Sequence, residues 1–541
     1  MTAPLTIDAR VPRLADALDD PGERGALERQ LPDYLRAQRW FGGQTRRLVA
    51  TRLERWVPLE SRAVGQSGSR AEDEKVLPDR PRPEGPRRPP DSLDACLAVV
   101  AVADSDGLTT EHLLFLSAGE PAAGSRPVHD ALACPEARAA LLRLALGGGR
   151  SAGHGVDLVC ERVPSGRGAL APAEYGSGRL AGVEQSNSSV IYGDACILKL
   201  YRRLAQGRNP DVELGRYLTT EARFAATPPL VASARLDGPG GYDADALLVQ
   251  GFVANEGDGW LWALAAARRA FDSAGPDELP NWLAAERETL AGAAALGRTT
   301  ARMHAALAGA TGVALRPERA TARDVAEWTG ALRQEADDAA RALERSGLAD
   351  AALADAIARA RDRAVPTPPD PGLKMRVHGD YHLGQVLRTP QTADGFVVLD
   401  FEGEPARPLA ERRALQHPLV DVAGMLRSWG YAAHVAGREV EGRGSRVEGQ
   451  DPTGANPGPS PLDPRPSTWE GAMRRAFLDA YWAEADAARP PFLPADRPSR
   501  ERLLALFELR KALYEVRYEL NNRPAWMDIP AGAVLRMAGD E

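Results

Sequence analysis

The chain has 541 residues, 44% of them hydrophobic and 26% charged. That is an ordinary globular composition, and the length exceeds what one hydrophobic core usually organises, so two or three subdomains are expected. The formal net charge of -8 and a pI near 5.7 speak against a general nucleic-acid or anionic-membrane binder. No apolar run approaches the ~18 residues that span a bilayer, and Asp and Arg interrupt the N-terminal segment, so a cytoplasmic location is expected.

In chain order, residues 26 to 41 read as an amphipathic helix ending near Gly42-Gly43. Residues 60 to 92, rich in Pro, Arg, Gly, Ser and Glu, read as an insertion without regular structure. Cys96 to Ala103 and His112 to Leu116 read as adjacent strands, and residues 136 to 146 as a helix. Residues 183 to 201 read as a hairpin turning at Gly193-Asp194, and Leu247 to Val253 as a buried strand. From Trp260 onward helical patterns dominate, at 282–308, 320–363, 470–489 and 500–522. Two strand-like runs within 374–402 interrupt them, and 436–468 reads as a second, mobile insertion. The cysteines Cys96, Cys134, Cys160 and Cys196 lack CxxC spacing and read as buried free thiols.

The chemistry concentrates in RVHGDYHLGQVL (Arg376 to Leu387) and FVVLDFEGE (Phe396 to Glu404). Phosphoryl transfer needs a carboxylate to orient the acceptor hydroxyl and take its proton, and oxygen ligands for Mg²⁺. In protein kinases the base and the amide ligand share one loop, spaced as H-R-D-x-x-x-x-N, and the second metal carboxylate opens D-F-G. Here Asp380 stands as base, with Gln385 at that offset and Asp400 before Phe401 as metal ligands. An H-x-D-x-H metal site made of His378, Asp380 and His382, serving hydrolysis, is the alternative for the same segment.

Only four lysines occur among 67 basic residues, which makes Lys199 in the apolar strand CILKLY conspicuous. It reads as the phosphate-contacting lysine, with Glu213 as its carboxylate partner. No G-x-G-x-x-G precedes it. Gln185 and Ser186, Asn187, Ser188 and Ser189 are expected to cover the phosphates instead. Gln250, Phe252 and Val253 stand where an adenine-binding hinge is expected.

Together with AQRWFGG, EQSNSSVIYGDACILKLYRRL, HPLVDVAGMLRSWGYAA and KALYEVRYELNNRPAW, these blocks are similar to the bacterial maltokinases, relatives of the aminoglycoside phosphotransferases. The resemblance implies an α+β, bilobal, eukaryotic-protein-kinase-like fold. It implies an N-terminal cap subdomain at 1–92, a nucleotide-binding intermediate β-rich subdomain at 93–255 that completes the N-lobe, and a mostly helical C-lobe at 256–541. It also implies ATP- and Mg²⁺-dependent phosphorylation of maltose at its anomeric hydroxyl, feeding α-glucan synthesis, by a monomer or homodimer. A sister group with much of the same motif set phosphorylates glucosamine, to the 6-phosphate. A non-catalytic kinase-like scaffold of a trehalose-handling enzyme is a third reading, against which stand Lys199, Asp380 and Asp400, all present.

Sugar recognition needs planar polar groups and aromatic faces. Tyr431, Tyr514, Glu515, Tyr518, Glu519, Arg523 and Trp526 supply those types, several on one helical face. His382, Glu402, Glu404 and Arg412 are candidates to line the same mouth, with Arg413 beside them or in a salt-bridge network.

Overall fold

The computed structural model describes residues 5–41, 47–59, 93–122, 124–164, 176–182, 187–348, 350–447 and 464–539. The insertion expected at 60–92 lies outside these, as do Gln185 and Ser186. The chain forms two compact units, Met1–Val212 with Leu230–Phe252, and Glu213–Pro229 with Val253–Glu541.

The first unit opens with β1 (Leu5–Asp8), α1 (Leu14–Asp19) and α2 (Pro21–Arg36). Helix α2 starts earlier than residue 26 because Asp20 caps it. The Asp20 carboxylate accepts the N–H groups of Gly22 (2.8 Å) and Glu23 (2.9 Å), and Pro21 suits the first turn. Strands β2 (Leu48–Leu59), β3 (Ala95–Asp104), β4 (Thr109–Ala118) and β5 (Ser125–Asp130) form an antiparallel sheet in the order β1-β5-β4-β3-β2. This sheet crosses the boundary expected at residues 92 and 93, because β2 and β3 pair along their length.

The apolar run of β3 has a direct cause. Cys96, Ala98, Val100 and Val102 face the core shared with α1 and α2, while Ala95, Leu97 and Val99 face a second core on the opposite side. A strand covered on both faces has no polar alternation to show.

That second core is built by α3 (Pro135–Gly147) and a seven-stranded sheet. Its strands are β6 (Gly149–Ser151), β7 (Asp157–Arg162), β8 (Arg179–Leu180), β9 (Asn187–Tyr192), β10 (Cys196–Tyr201), β12 (Leu230–Gly238) and β13 (Tyr242–Gly251), ordered β6-β7-β12-β13-β10-β9-β8. The short β11 (Arg203–Leu204) joins the first sheet beside β4. Strands β9 and β10 form the expected hairpin, turning at Gly193 with φ of 53°. Cys96, Cys160 and Cys196 are buried and Cys134 is partly exposed, all as free thiols. Burial pushes the Cys160 thiol up to about 12 and the Cys196 thiol to about 11.

Helix α4 (Pro210–Thr220) runs on into the second unit. There follow α5 (Gly259–Ser273), α6 (Leu279–Ala285), α7 (Arg287–Ala308), β14 (Glu318–Arg319), α8 (Ala322–Ser346), α9 (Ala351–Asp362), β15 (Leu373–Lys374), β16 (Val386–Arg388) and β17 (Phe396–Val398). Then come α10 (Leu409–Arg412), α11 (Leu419–Val447), α12 (Arg465–Ala487), α13 (Arg497–Asn522) and α14 (Asp528–Gly539). The helix expected over 320–363 is divided. Gly347, at φ 72°, ends α8 in a left-handed cap, and Asp350 starts α9 by accepting the Leu353 N–H. The insertion expected at 436–468 is helical at both ends, since α11 continues to Val447 and α12 begins at Arg465. Extending a helix already formed costs little, and the Arg and Glu residues there are good helix formers. No helix among the described residues is long and apolar enough to cross a membrane.

Helices α7 and α12 approach closely at Gly297. A Cβ there would overlap the Phe477 carbonyl oxygen and lie 3.2 Å from the Tyr481 nitrogen. Gly297→Ala is therefore expected to destabilise the protein by about 1–3 kcal/mol through overpacking, read as a lower denaturation midpoint at unchanged m-value.

Candidate active site

The hairpin of β16 and β17 brings the two expected metal ligands together. Val386 pairs with Val398, and one position further out the Leu399 N–H donates to the Gln385 carbonyl at 2.9 Å. The Gln385 amide Nε2 then donates to Asp400 Oδ2 at 3.3 Å, leaving its Oε1 free of that bond. Asp400 adopts a left-handed backbone, φ 62°, a conformation that non-glycine residues take up rarely and Asp more often than most.

Gly379, at φ 81°, turns the chain immediately before Asp380, and a Cβ on it would sit 3.4 Å from the Gly403 Cα. The Asp380 loop and the Asp400 loop thus run close, backbone against backbone, and the left-handed turn at Gly379 is one that residues with a Cβ rarely adopt.

His378 is a structural residue of this loop. Its Nε2 donates to the Leu399 carbonyl at 2.7 Å, and its Nδ1 accepts the Asp380 N–H at 3.3 Å. With both ring nitrogens engaged, His378 has no lone pair for a metal, and the H-x-D-x-H reading loses its first ligand. His382 Nδ1 accepts the Gly384 N–H at 3.0 Å, and burial favours its neutral form. Among the described residues no cluster of three His, Cys, Asp or Glu side chains is arranged to hold a metal. A carboxylate and an adjacent amide do fit Mg²⁺, which completes its shell with waters and substrate phosphates.

Sequence reasoning missed Asp421 as a functional position. Its carboxylate is 1% exposed and accepts the backbone N–H groups of His378 (2.8 Å) and Gly379 (2.9 Å). The available signal was a carboxylate within the apolar stretch LVDVAGML, which has to be paired if it is buried. Gly424, one turn along α11, lets the helix touch the loop, since a Cβ there would lie 2.6 Å from the Tyr381 carbonyl oxygen.

Asp380 opens onto a cavity of about 600 Å³ within the second unit. Lys511, Tyr514, Glu515, Tyr518 and Glu519 line it from one face of α13, at the helical spacing expected, with Arg523 and Trp526 beyond the helix end. Tyr431, His382, Glu404 and Arg412 complete the expected set. Glu402 is the exception. It is buried and absent from the lining, and its carbonyl accepts Arg412 Nη1 at 3.1 Å. Lys511, Arg407 and Arg510 also line the cavity and went unassigned, although the scarcity of lysine was a cue for Lys511.

Most carboxylates in the cavity are already paired. Glu515 Oε2 accepts Arg427 Nε at 2.8 Å. Glu519 accepts Tyr431 Oη at 3.0 Å and Arg523 through two bonds of 2.6 and 2.9 Å. Glu404 is raised from its ordinary range by burial and then by the Asp380 charge. Tyr514 is raised to about 12, again by burial and then by Glu404. Two aromatic pairs stand stacked, Tyr431 with Trp526 (centroids 6.2 Å) and Tyr514 with Tyr518 (6.3 Å).

In the first unit, Lys199 pairs across the hairpin with Ser189, so both side chains share a face. Its Nζ lies 3.2 Å from Asp211 Oδ2, so the salt-bridge partner is Asp211 and not the expected Glu213. The two acids are two positions apart on α4 and therefore point to different sides. Glu213 is held instead by Arg376 Nη1 (2.6 Å) and Arg413 Nη2 (2.9 Å), which places Arg413 in a salt-bridge network. Asn187 and Ser189 lie on β9, and the Ser188 hydroxyl is already an acceptor for Arg202 Nε at 2.8 Å. Gln250, one residue before the end of β13, stands opposite Ile197, and the Phe252 N–H donates to the Ala195 carbonyl at 2.9 Å, next to Val253. Because Arg376 is almost fully buried, Glu213→Ala is expected to cost about 3–5 kcal/mol, seen in chemical unfolding, by stranding that guanidinium.

The fold and site define a class. Residues 254–456 match the model of APH, the phosphotransferase enzyme family. The chain is 32% identical over 355 residues to a glucosamine kinase of Streptacidiphilus jiangxiensis, covering 64% of this chain and 70% of that protein. It is 28% identical over 363 residues to a glucosamine kinase of Mycolicibacterium smegmatis (strain ATCC 700084 / mc(2)155), covering 65% and 77%. A solved structure of a glucosamine kinase in crystal form B superposes with a TM-score of 0.54 at 26% identity, covering 82% of this chain and 91% of that one. A second, in complex with glucosamine, ADP and inorganic phosphate, gives 0.53 at 25%, covering 82% and 90%. The chain belongs to the phosphotransferase enzyme family and, within it, to the same family as these glucosamine kinases.

Proposed function

We propose that the protein transfers the γ-phosphoryl group of ATP to a hydroxyl of a small neutral sugar, with maltose, converted to maltose 1-phosphate, as the first choice. The observation that carries this reading is the cavity beside Asp380. It offers two stacked aromatic pairs, and its carboxylates Glu515 and Glu519 are spoken for by Arg427, Tyr431 and Arg523. Carboxylates already held by these partners suit the hydroxyls of a neutral polyol, and aromatic faces suit sugar rings. A cavity of about 600 Å³ is roomy for one hexose and suits two linked rings.

In this reading Asp380 accepts a hydrogen bond from the sugar hydroxyl and takes its proton as the oxygen bonds to the γ-phosphorus. The bond from that phosphorus to the ADP oxygen breaks, and ADP leaves. Asp400 and Gln385 would hold Mg²⁺, which neutralises phosphate charge when bound. Lys199 would contact the nucleotide phosphates, poised by Asp211.

A second reading has its own support. The relatives are glucosamine kinases, and Glu404 is a cavity carboxylate beside Asp380 with no arginine salt bridge among the described residues. An ammonium group would stabilise its charged form.

ADP release with Mg-ATP should be followed against maltose, glucosamine, glucose, trehalose and no sugar. The proposal expects release with maltose and little with the others. Release with glucosamine alone would transfer the assignment to the second reading, and sugar-independent release would overturn both. Glu404→Gln separates the two further. It is expected to cost about tenfold or more in kcat/KM for an amino sugar, through loss of a charged hydrogen bond, and only a few-fold for maltose.

A further inference from the structure

Three side chains of the second unit, Thr300, His304 and Tyr481, are absent from the cavity lining yet connect by hydrogen bonds to Tyr381 and Asp421 at the Asp380 loop. Thr300 and His304 sit one turn apart on α7, both fully buried. His304 Nε2 lies 3.2 Å from Asp421 Oδ2, the same oxygen that accepts the His378 N–H at 2.8 Å. On its other side His304 Nδ1 lies 2.8 Å from the Tyr481 hydroxyl on α12. Thr300 Oγ1 lies 2.9 Å from the Tyr381 hydroxyl, and Tyr381 follows Asp380 directly.

The donor order is fixed by elimination. Asp421 can only accept when ionised, so His304 Nε2 carries a proton, and the Tyr481 O–H, which has no other hydrogen-bond partner among the described residues, donates to Nδ1. Tyr481 is suited to this, because burial keeps its hydroxyl protonated well beyond the ordinary range. The donors converge on Asp421: Tyr481 donates to His304, His304 donates to Asp421, and the backbone N–H groups of His378 and Gly379 donate to the same carboxylate. Tyr481 and His304 also pack edge to face, with centroids 5.7 Å apart.

We propose that His304 is a positioning residue for phosphoryl transfer, orienting the Asp421 carboxylate that holds the His378–Gly379 backbone and so setting where Asp380 stands. Three observations favour this over plain core packing. The side chain uses both ring nitrogens in hydrogen bonds, where an apolar residue would fill the space at lower cost. Its partner Asp421 binds the two peptide groups immediately before Asp380. The second α7 contact, from Thr300, lands on the residue immediately after it. One face of α7 therefore brackets Asp380 from both sides, and a small shift of such a support is enough to misplace a reacting group.

The inference rests on the proposed phosphoryl transfer for its rate readout but not for its structural one. The test uses the full chain with His304→Gln, His304→Leu and Tyr481→Phe. The glutamine amide can still donate to Asp421 from the position of Nε2, and leucine cannot. Turnover is measured with the active acceptor, and amide hydrogen exchange is measured over residues 376–387. For His304→Leu the expectation is a kcat lowered about 100-fold, KM for ATP and sugar within about threefold, and faster exchange of the loop amides. His304→Gln should recover turnover to within about tenfold of the wild type, and Tyr481→Phe should lose only a few-fold. Equal losses in the glutamine and leucine variants, or unchanged kcat and loop exchange in folded protein, would overturn it. If the leucine variant does not fold, His304→Asn takes its place, since the shorter amide does not reach Asp421 from the position of Nε2, and unchanged kcat and loop exchange in folded His304→Asn would overturn the proposal. Absence of turnover in the wild type with every sugar would count against the function, while the exchange comparison would still judge the relay.

Discussion

A carboxylate taken wholly out of water must be met by hydrogen-bond donors, and Asp421 meets its donors in the backbone of the Asp380 loop. This requirement ties the middle of the helical unit to its chemistry. Helix α11 carries Asp421, and Gly424 lets the helix press against the Tyr381 carbonyl. The loop in turn reaches the Asp400 segment through the His378 ring and the contact of Gly379 with Gly403. Remove the carboxylate and two N–H groups lose their partners immediately before Asp380.

The same logic orders the surrounding charges. Arg376, just ahead of the loop, is buried and is matched by Glu213, which also takes Arg413. Glu515 and Glu519 are matched by Arg427 and Arg523 along the cavity wall. Buried arginines with bidentate or shared carboxylates fix side-chain direction more than they add stability, because desolvation offsets much of the attraction. The cavity that remains combines aromatic faces with polar groups already oriented, and Asp380 lies at its edge.

Much of this was legible in the sequence, and the reasons differ by residue. Gln385 and Asp400 flank one short hairpin, so their spacing alone brings them together, with Asp380 in the loop just ahead. The α13 face was legible because helical periodicity places Tyr514, Glu515, Tyr518 and Glu519 together without knowledge of the fold. Glu213 misled because either acid of α4 satisfies the motif by type. Only the helix phase decides that Asp211 meets Lys199. Asp421 and His304 escaped because their partners lie 43 and 117 positions away in sequence, and no local spacing encodes such contacts. The helical ends of the 436–468 segment escaped because Gly- and Arg-rich composition looks like loop when read without the helix it extends.

In the proposed reaction Asp380, fixed by Asp421, activates the acceptor hydroxyl. Asp380→Asn keeps the shape of the side chain and removes its ability to take a proton. Steady-state ADP release at saturating ATP and sugar, paired with nucleotide affinity by calorimetry, tests this most directly. Turnover is expected to fall by about 100-fold or more, with nucleotide affinity changed by less than about threefold. Turnover within a few-fold of the wild type would contradict it and would remove Asp380 from the chemistry.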